Sequence, residues 1–126
     1  MDIVNRDNAP PFTTKDGSTI REILAYRNST IRNQSLAEAT LPVGTRTQAH
    51  YHPKTEEIYY LLRGVGLMAI GSHCAEVRQG DGIAIPPGAK HQIANIGEEP
   101  LVFLCTCAPA YEHDDTVFCE SLLGEE

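Results

Sequence analysis

The sequence predicts an all-β domain, a sandwich or a barrel, and three observations predict it. No segment sustains a helical period. Gly and Pro punctuate the chain at short intervals, and the runs between them are short, evenly spaced and strand-like in composition. Many short strands joined by such turns close into two facing sheets or into a barrel.

In order along the chain, strands are expected over residues 20–27, 35–41, 47–52, 57–63, 66–70, 74–77, 82–85, 91–95 and 101–107. Pro42-Val43-Gly44 ends the second run, and Gly64-Val65-Gly66 and Gly71-Ser72-His73 join short neighbours. Pro86-Pro87-Gly88 and Gly97-Glu98-Glu99-Pro100 do the same later. Pro fixes φ and Gly admits positive φ, which is what tight connections need. Residues 1–18 are polar, carry Pro10-Pro11, and read as an irregular arm. The core is expected over 19–108, and the acidic stretch 109–126 as a loose tail or a short helix. At 126 residues the whole fits a single domain.

Composition excludes several function classes. An apolar fraction of 41% beside 21% charged residues is ordinary for a soluble globular chain. The net charge of −7, with no cluster of Lys and Arg, argues against nucleic acid and against anionic membrane surfaces. No apolar run approaches the roughly 18 residues that cross a bilayer. Residues 1–7 lack a basic flank followed by an apolar stretch, so no signal peptide is read there and the expected location is the cytoplasm. The cysteines Cys74, Cys105, Cys107 and Cys119 do not space as a disulfide framework. Cys105 and Cys107, two apart on an expected strand, read as small residues on one core face.

The chemistry concentrates around His50 and His52. They flank Tyr51 on a strand, so both imidazoles project from one face. Pro53-Lys54-Thr55 supplies a turn, and a hairpin would bring Glu57 beside the two histidines. Two imidazoles and a carboxylate on one point have the composition of a facial metal site. Burying paired basic side chains without such a partner would be costly. His91, directly after a Pro-rich turn, joins the set only if the sheet closes on itself.

These residues carry a family resemblance. The run Gly44, five residues, His50, one, His52, four, Glu57, six, Gly64 resembles the first cupin motif. Gly80, five residues, Pro86, one, Gly88, two, His91, three, Asn95 resembles the second. Both match without a gap, and the chain is similar to single-domain cupins of the widespread bacterial type. The resemblance implies an antiparallel double-stranded β-helix, a short jelly-roll barrel holding a divalent metal. It also implies the ligand set His50, His52, Glu57 and His91. Glu56 is the alternative acid; Glu57 is preferred because it keeps the motif's spacing to Gly64 and the right strand face. Three imidazoles and a carboxylate leave about two octahedral positions for an oxygen-donor ligand, and do not choose among iron, manganese, nickel, cobalt and zinc.

Alternation extends the site. Gln48 shares the face of His50 and Tyr59 that of Glu57, so both are expected to line the cavity and orient a ligand, or else to serve as supporting groups. His113, in the acidic tail, is a candidate acid or base capping the mouth, against a plain surface role. Arg46 and Lys90 are expected near the mouth, where they would attract an anionic ligand or, the reading preferred, stand as solvated charges, and His73 is expected on a surface turn. Three functions remain open at this point. One is a metal-dependent enzyme on a small polar molecule, either a dioxygenase or a non-redox isomerase, cyclase or decarboxylase. The others are a small-molecule-binding module with a structural metal, and a partner-binding subunit. The resemblance further implies a homodimer paired through N-terminal strands.

Overall fold

The computed structural model describes residues 1–124. Its strands are β1 (Phe12–Thr13), β2 (Thr19–Leu24), β3 (Ser35–Leu41), β4 (His50–Tyr51), β5 (Glu56–Arg63) and β6 (Val65–Ile70). They continue as β7 (His73–Arg78), β8 (Gly82–Ile85), β9 (His91–Asn95), β10 (Leu101–Ala108) and β11 (Val117–Phe118). Single 3-10 turns stand at Arg6–Asn8 and His113–Asp115. Two sheets, ordered β1-β2-β3-β10-β5-β8 and β11-β4-β9-β6-β7, face one another as an antiparallel double-stranded β-helix. Among the described residues no helix is long and apolar enough to cross a membrane.

Alternation sets what points inward. On β5, Glu57, Tyr59 and Leu61 are buried while Glu56, Ile58 and Tyr60 are exposed. On β10, Leu101, Phe103, Cys105 and Cys107 are the buried set. Register joins these into rows: Phe103 stands opposite Leu61 and Ala39, and Cys105 opposite Tyr59 and Ala37. Cys107 stands opposite Glu57 and Ser35. Leu41, Leu61, Ile93, Leu101 and Phe103 fill one end of the barrel with apolar side chains. The polar row of Ser35, Cys107 and Glu57 lies two rows further along the same strands. The sandwich is therefore filled with apolar side chains at one end and lined by polar groups at the other.

Four local expectations are corrected. The strand expected over 20–27 ends at Leu24, because the Ala25 N–H donates to Asn28 Oδ1 and the Asn28 N–H to the Ala25 carbonyl, forming a turn. The strand expected over 47–52 shrinks to His50–Tyr51. There Thr47 Oγ1 accepts the Ile93 N–H in place of a main-chain partner, and the Gln48 N–H leaves the sheet for the Asp16 carbonyl. His73 begins β7, paired with Ile70, and remains exposed.

The tail is the fourth correction, since it folds back onto the barrel. β11 pairs with β4, and the buried Gln92 accepts from Ser121 Oγ and the Leu122 and Leu123 N–H groups through Oε1. Arg46 donates to the Gly124 carbonyl, and so stands with the tail.

Candidate metal centre

Three elements deliver three imidazoles. His50 on β4 lies directly opposite His91 on β9. His52 follows where the chain leaves β4, its carbonyl accepting the N–H of Gly88 from the Pro-rich turn that also delivers His91. All three side chains are buried, and each offers a ring nitrogen within 4.8 Å of the others. Glu57 enters from the opposite sheet, with Oε1 3.4 Å from His52 Nε2 and 3.5 Å from His91 Nε2. Glu56, its neighbour, is exposed.

The tautomers follow from hydrogen bonding. Nδ1 of His50, His52 and His91 lies 2.8, 2.9 and 2.9 Å from the carbonyls of Gln48, Asp115 and Ala89. A carbonyl only accepts, so each Nδ1 carries a proton, and a ring that is neutral in this tautomer turns its Nε2 lone pair inward. Burial, then the nearness of His91, push His50 below its ordinary pKa and keep it neutral. Burial also pushes His52 down, but hydrogen bonding and charge from Glu57, with the Asp115 carbonyl, outweigh it and hold His52 above its ordinary value. Burial would raise Glu57; the adjoining His52 and then His91, as donors when protonated, overcome that and hold it down at about 2. Glu57 is therefore a carboxylate.

One consequence is an electrostatic conflict. Glu57 Oε1 and His91 Nε2 are buried without a hydrogen-bond partner among the described residues. With the imidazole neutral both are acceptors, and acceptors facing each other across 3.5 Å repel unless a proton or a metal cation lies between them. A divalent ion removes the conflict. Two Nε2 lone pairs and a carboxylate oxygen within these distances, with a third imidazole alongside, form a donor set suited to a transition metal. The other oxygen, Glu57 Oε2, accepts from the Cys107 thiol at 3.4 Å. Burial, with Glu57 adding to it, pushes the Cys107 thiol up, so it stays protonated and donates.

A cavity of about 50 Å³ opens beside these groups. That is room for a few water-sized groups or a small organic molecule's reactive end. Its apolar wall is Ile20, Ala37, Ala39 and Phe103. Tyr59 lines it as expected, edge-on to His91 at 6.0 Å between ring centroids, and burial raises its phenol well above the ordinary value.

Gln48 is a correction: it is exposed and absent from the lining, because the strand alternation that would aim it inward is lost at Thr47. Its carbonyl, not its side chain, serves the site by holding His50. His113 is exposed outside the mouth, its Nδ1 3.1 Å from the hydroxyl of Tyr111, which does line the cavity. Lys90 is exposed and, like Arg46, is absent from the lining.

Two contributors were not foreseen. Asp16, from the expected irregular arm, lines the cavity with Oδ2 3.9 Å from His50 Nε2. Asp115, from the tail, holds His52 through its carbonyl and the Lys54 and Thr55 N–H groups through its carboxylate. Asp16-Gly17-Ser18 reads locally as a turn, and nothing in it signals a partner more than thirty residues away.

Comparison with known proteins agrees with this architecture. The cupin-domain family model matches residues 37–107, more than half of the chain. A protein of Methanocaldococcus jannaschii, uncharacterized, is 49% identical over 114 residues, covering 90% of this chain and 91% of its own. That relative is archaeal, so the likeness is not confined to bacterial proteins. A predicted oxalate decarboxylase from Thermotoga maritima superimposes with TM-score 0.76 at 24% identity, covering 86% of this chain and 99% of its own. A polyketide cyclase from Streptomyces resistomycificus does so with TM-score 0.76 at 21% identity, covering 86% and 79%. At these identities the two structures share the fold.

Proposed function

The chain belongs to the cupin family, and from that premise we infer that it is a divalent-metal enzyme acting without net oxidation on a small polar molecule. The observation that carries this reading is the convergence of three buried imidazoles beside a Glu57 oxygen that has no hydrogen-bond partner among the described residues. His50, His52, Glu57 and His91 would hold the ion. When bound, it would supply Lewis acidity to a carbonyl or hydroxyl oxygen of the ligand. The chain's own contribution is to fix the ring tautomers through the carbonyls of Gln48, Asp115 and Ala89, and to shape a largely apolar wall. Tyr59 keeps a neutral hydroxyl at the cavity and would orient the ligand by hydrogen bonding. A predicted decarboxylase and a cyclase among the fold's neighbours support the non-redox class over a dioxygenase.

The test is reconstitution of chelated protein with iron, manganese, cobalt, nickel and zinc in turn, against a panel of hydroxy-ketones and diketones. Metal-dependent conversion followed by NMR, without oxygen consumption, is the expected result. Stoichiometric oxygen uptake would instead make it a dioxygenase. Ligand-dependent thermal shifts without conversion would make it a binding module.

We also propose that the protein is a homodimer. The outward face of the larger sheet carries Ile58 and Tyr60, 52% and 46% exposed, with half-buried Leu36, Val102 and Leu104 on neighbouring strands. Contiguous apolar surface of this kind is usually covered by a partner. Light scattering should return twice the 13.8 kDa chain mass, and Tyr60→Glu should return the single mass. A single mass for the unsubstituted protein would remove the proposal.

A further inference from the structure

The charge lining the cavity is of one sign. None of its lining residues is Lys or Arg, whereas three are acidic: Asp16, Glu22 and Glu57. Two of these are spoken for. Glu57 faces the imidazoles, and Glu22 is neutralised by Arg27, which reaches it through Nε at 3.0 Å and Nη2 at 2.9 Å. Arg27 is itself held at the outer mouth by Glu112 and by the Tyr111 carbonyl.

Asp16 differs. Its Oδ1 accepts from Thr14 Oγ1, Ser18 Oγ and the Ser18 N–H at 2.6, 2.6 and 2.9 Å, and none of these donors carries charge. The neighbouring Lys15 points elsewhere, with Nζ over the Phe118 ring. Three neutral donors on one oxygen lock the carboxylate in orientation while leaving its charge uncompensated. The other oxygen, Oδ2, faces His50 Nε2 across the cavity wall. Of the three carboxylates lining the cavity, it is the one whose hydrogen bonds all come from neutral hydroxyl and amide donors.

We propose that Asp16 is the specificity-determining residue of the cavity, excluding anions and admitting uncharged molecules. Those molecules carry hydroxyl or carbonyl oxygens at one end and an apolar body toward Ile20, Ala37, Ala39 and Phe103. The inference rests on the metal-centre reading above and adds the class of ligand. A divalent ion beside Glu57 retains one formal positive charge, and Asp16 cancels it within the same small, weakly screened space. An incoming carboxylate or phosphate then gains no net attraction, and it is repelled at short range by Oδ2. A neutral ligand pays no such cost.

The experiment uses cobalt-loaded protein, its metal content measured first, and follows the visible cobalt spectrum on titration with imidazole as neutral probe and oxalate as anionic probe. The expected result is tighter binding of imidazole than of oxalate. In Asp16→Asn, oxalate affinity should rise at least tenfold with imidazole affinity unchanged within twofold. Asn keeps an acceptor for Thr14 and Ser18, and the imidazole titration reports that the cavity is intact. Oxalate binding as tightly as imidazole in the unsubstituted protein, or an unaltered affinity ratio in Asp16→Asn, overturns the role of Asp16 while leaving the metal centre standing. Failure to take up cobalt at all overturns both.

Discussion

Replacing His50 and His91 together by alanine should reduce metal bound to protein purified without chelator from about one ion per chain to less than a tenth of that. The expectation follows from the donor set, since losing even a group that orients a ligand typically costs about 10–100-fold in metal affinity. Here two of the proposed ligands would leave at once. Thermal unfolding provides an independent reading. An ion at about 100 times its Kd adds roughly 2.7 kcal/mol to the native state, worth about 10 °C in a domain of this size. Added metal should raise the melting temperature of the unsubstituted protein by that order and leave the double variant unmoved. The variant should still fold in the absence of metal, because His91 contributes a buried nitrogen that no group among the described residues satisfies. Equal metal content in the two proteins would show that these imidazoles do not hold the ion.

The second large effect is structural. Gly64 links β5 to β6 with φ at +91°, and a Cβ there would lie 2.8 Å from the Pro100 carbonyl oxygen and 3.0 Å from Leu101 Cα. Both atoms are backbone, so no side-chain rotation relieves the contact. Gly64→Ala should therefore cost about 3 kcal/mol or more, combining left-handed strain with forced displacement of the start of β10. Gly44, with φ at +77° and nothing within 4 Å of its added Cβ, has the strain alone and should lose only about 1 kcal/mol on the same substitution. Urea unfolding of the pair checks this. Equal losses would mean that the close approach at Pro100 is not what requires glycine.

The contrast between these glycines shows what a sequence makes legible. Both belong to the motif that resembles cupins, yet spacing alone gives them equal weight. Only the approach of the 97–100 turn, distant in sequence, separates them. The expected strands over 35–41, 82–85 and 91–95 have the observed bounds, because Gly and Pro mark their ends locally. Glu57 is separable from Glu56 by alternation, a property of a single strand.

Gln48 fails for the converse reason. Its orientation depends on Thr47 bonding to Ile93 and on Asp16 capturing the Gln48 N–H, neither of which is a local event. Asp16 and Asp115 were invisible for the same reason. His91 stands between these cases, since its turn is local but its meeting with His50 needs the barrel closed, and only the family resemblance carries that.

Asp115 stands 63 residues beyond the His52 ring it orients. A ribosome delivers the chain in one direction, so His50, His52, Glu57 and His91 are all synthesised before the acceptor that sets the His52 tautomer. Firm capture of an ion in this geometry belongs to the finished molecule rather than to the nascent one. Because affinity order among divalent ions is set largely by chemistry common to all proteins, the ion retained then depends on which metals surround the completed fold.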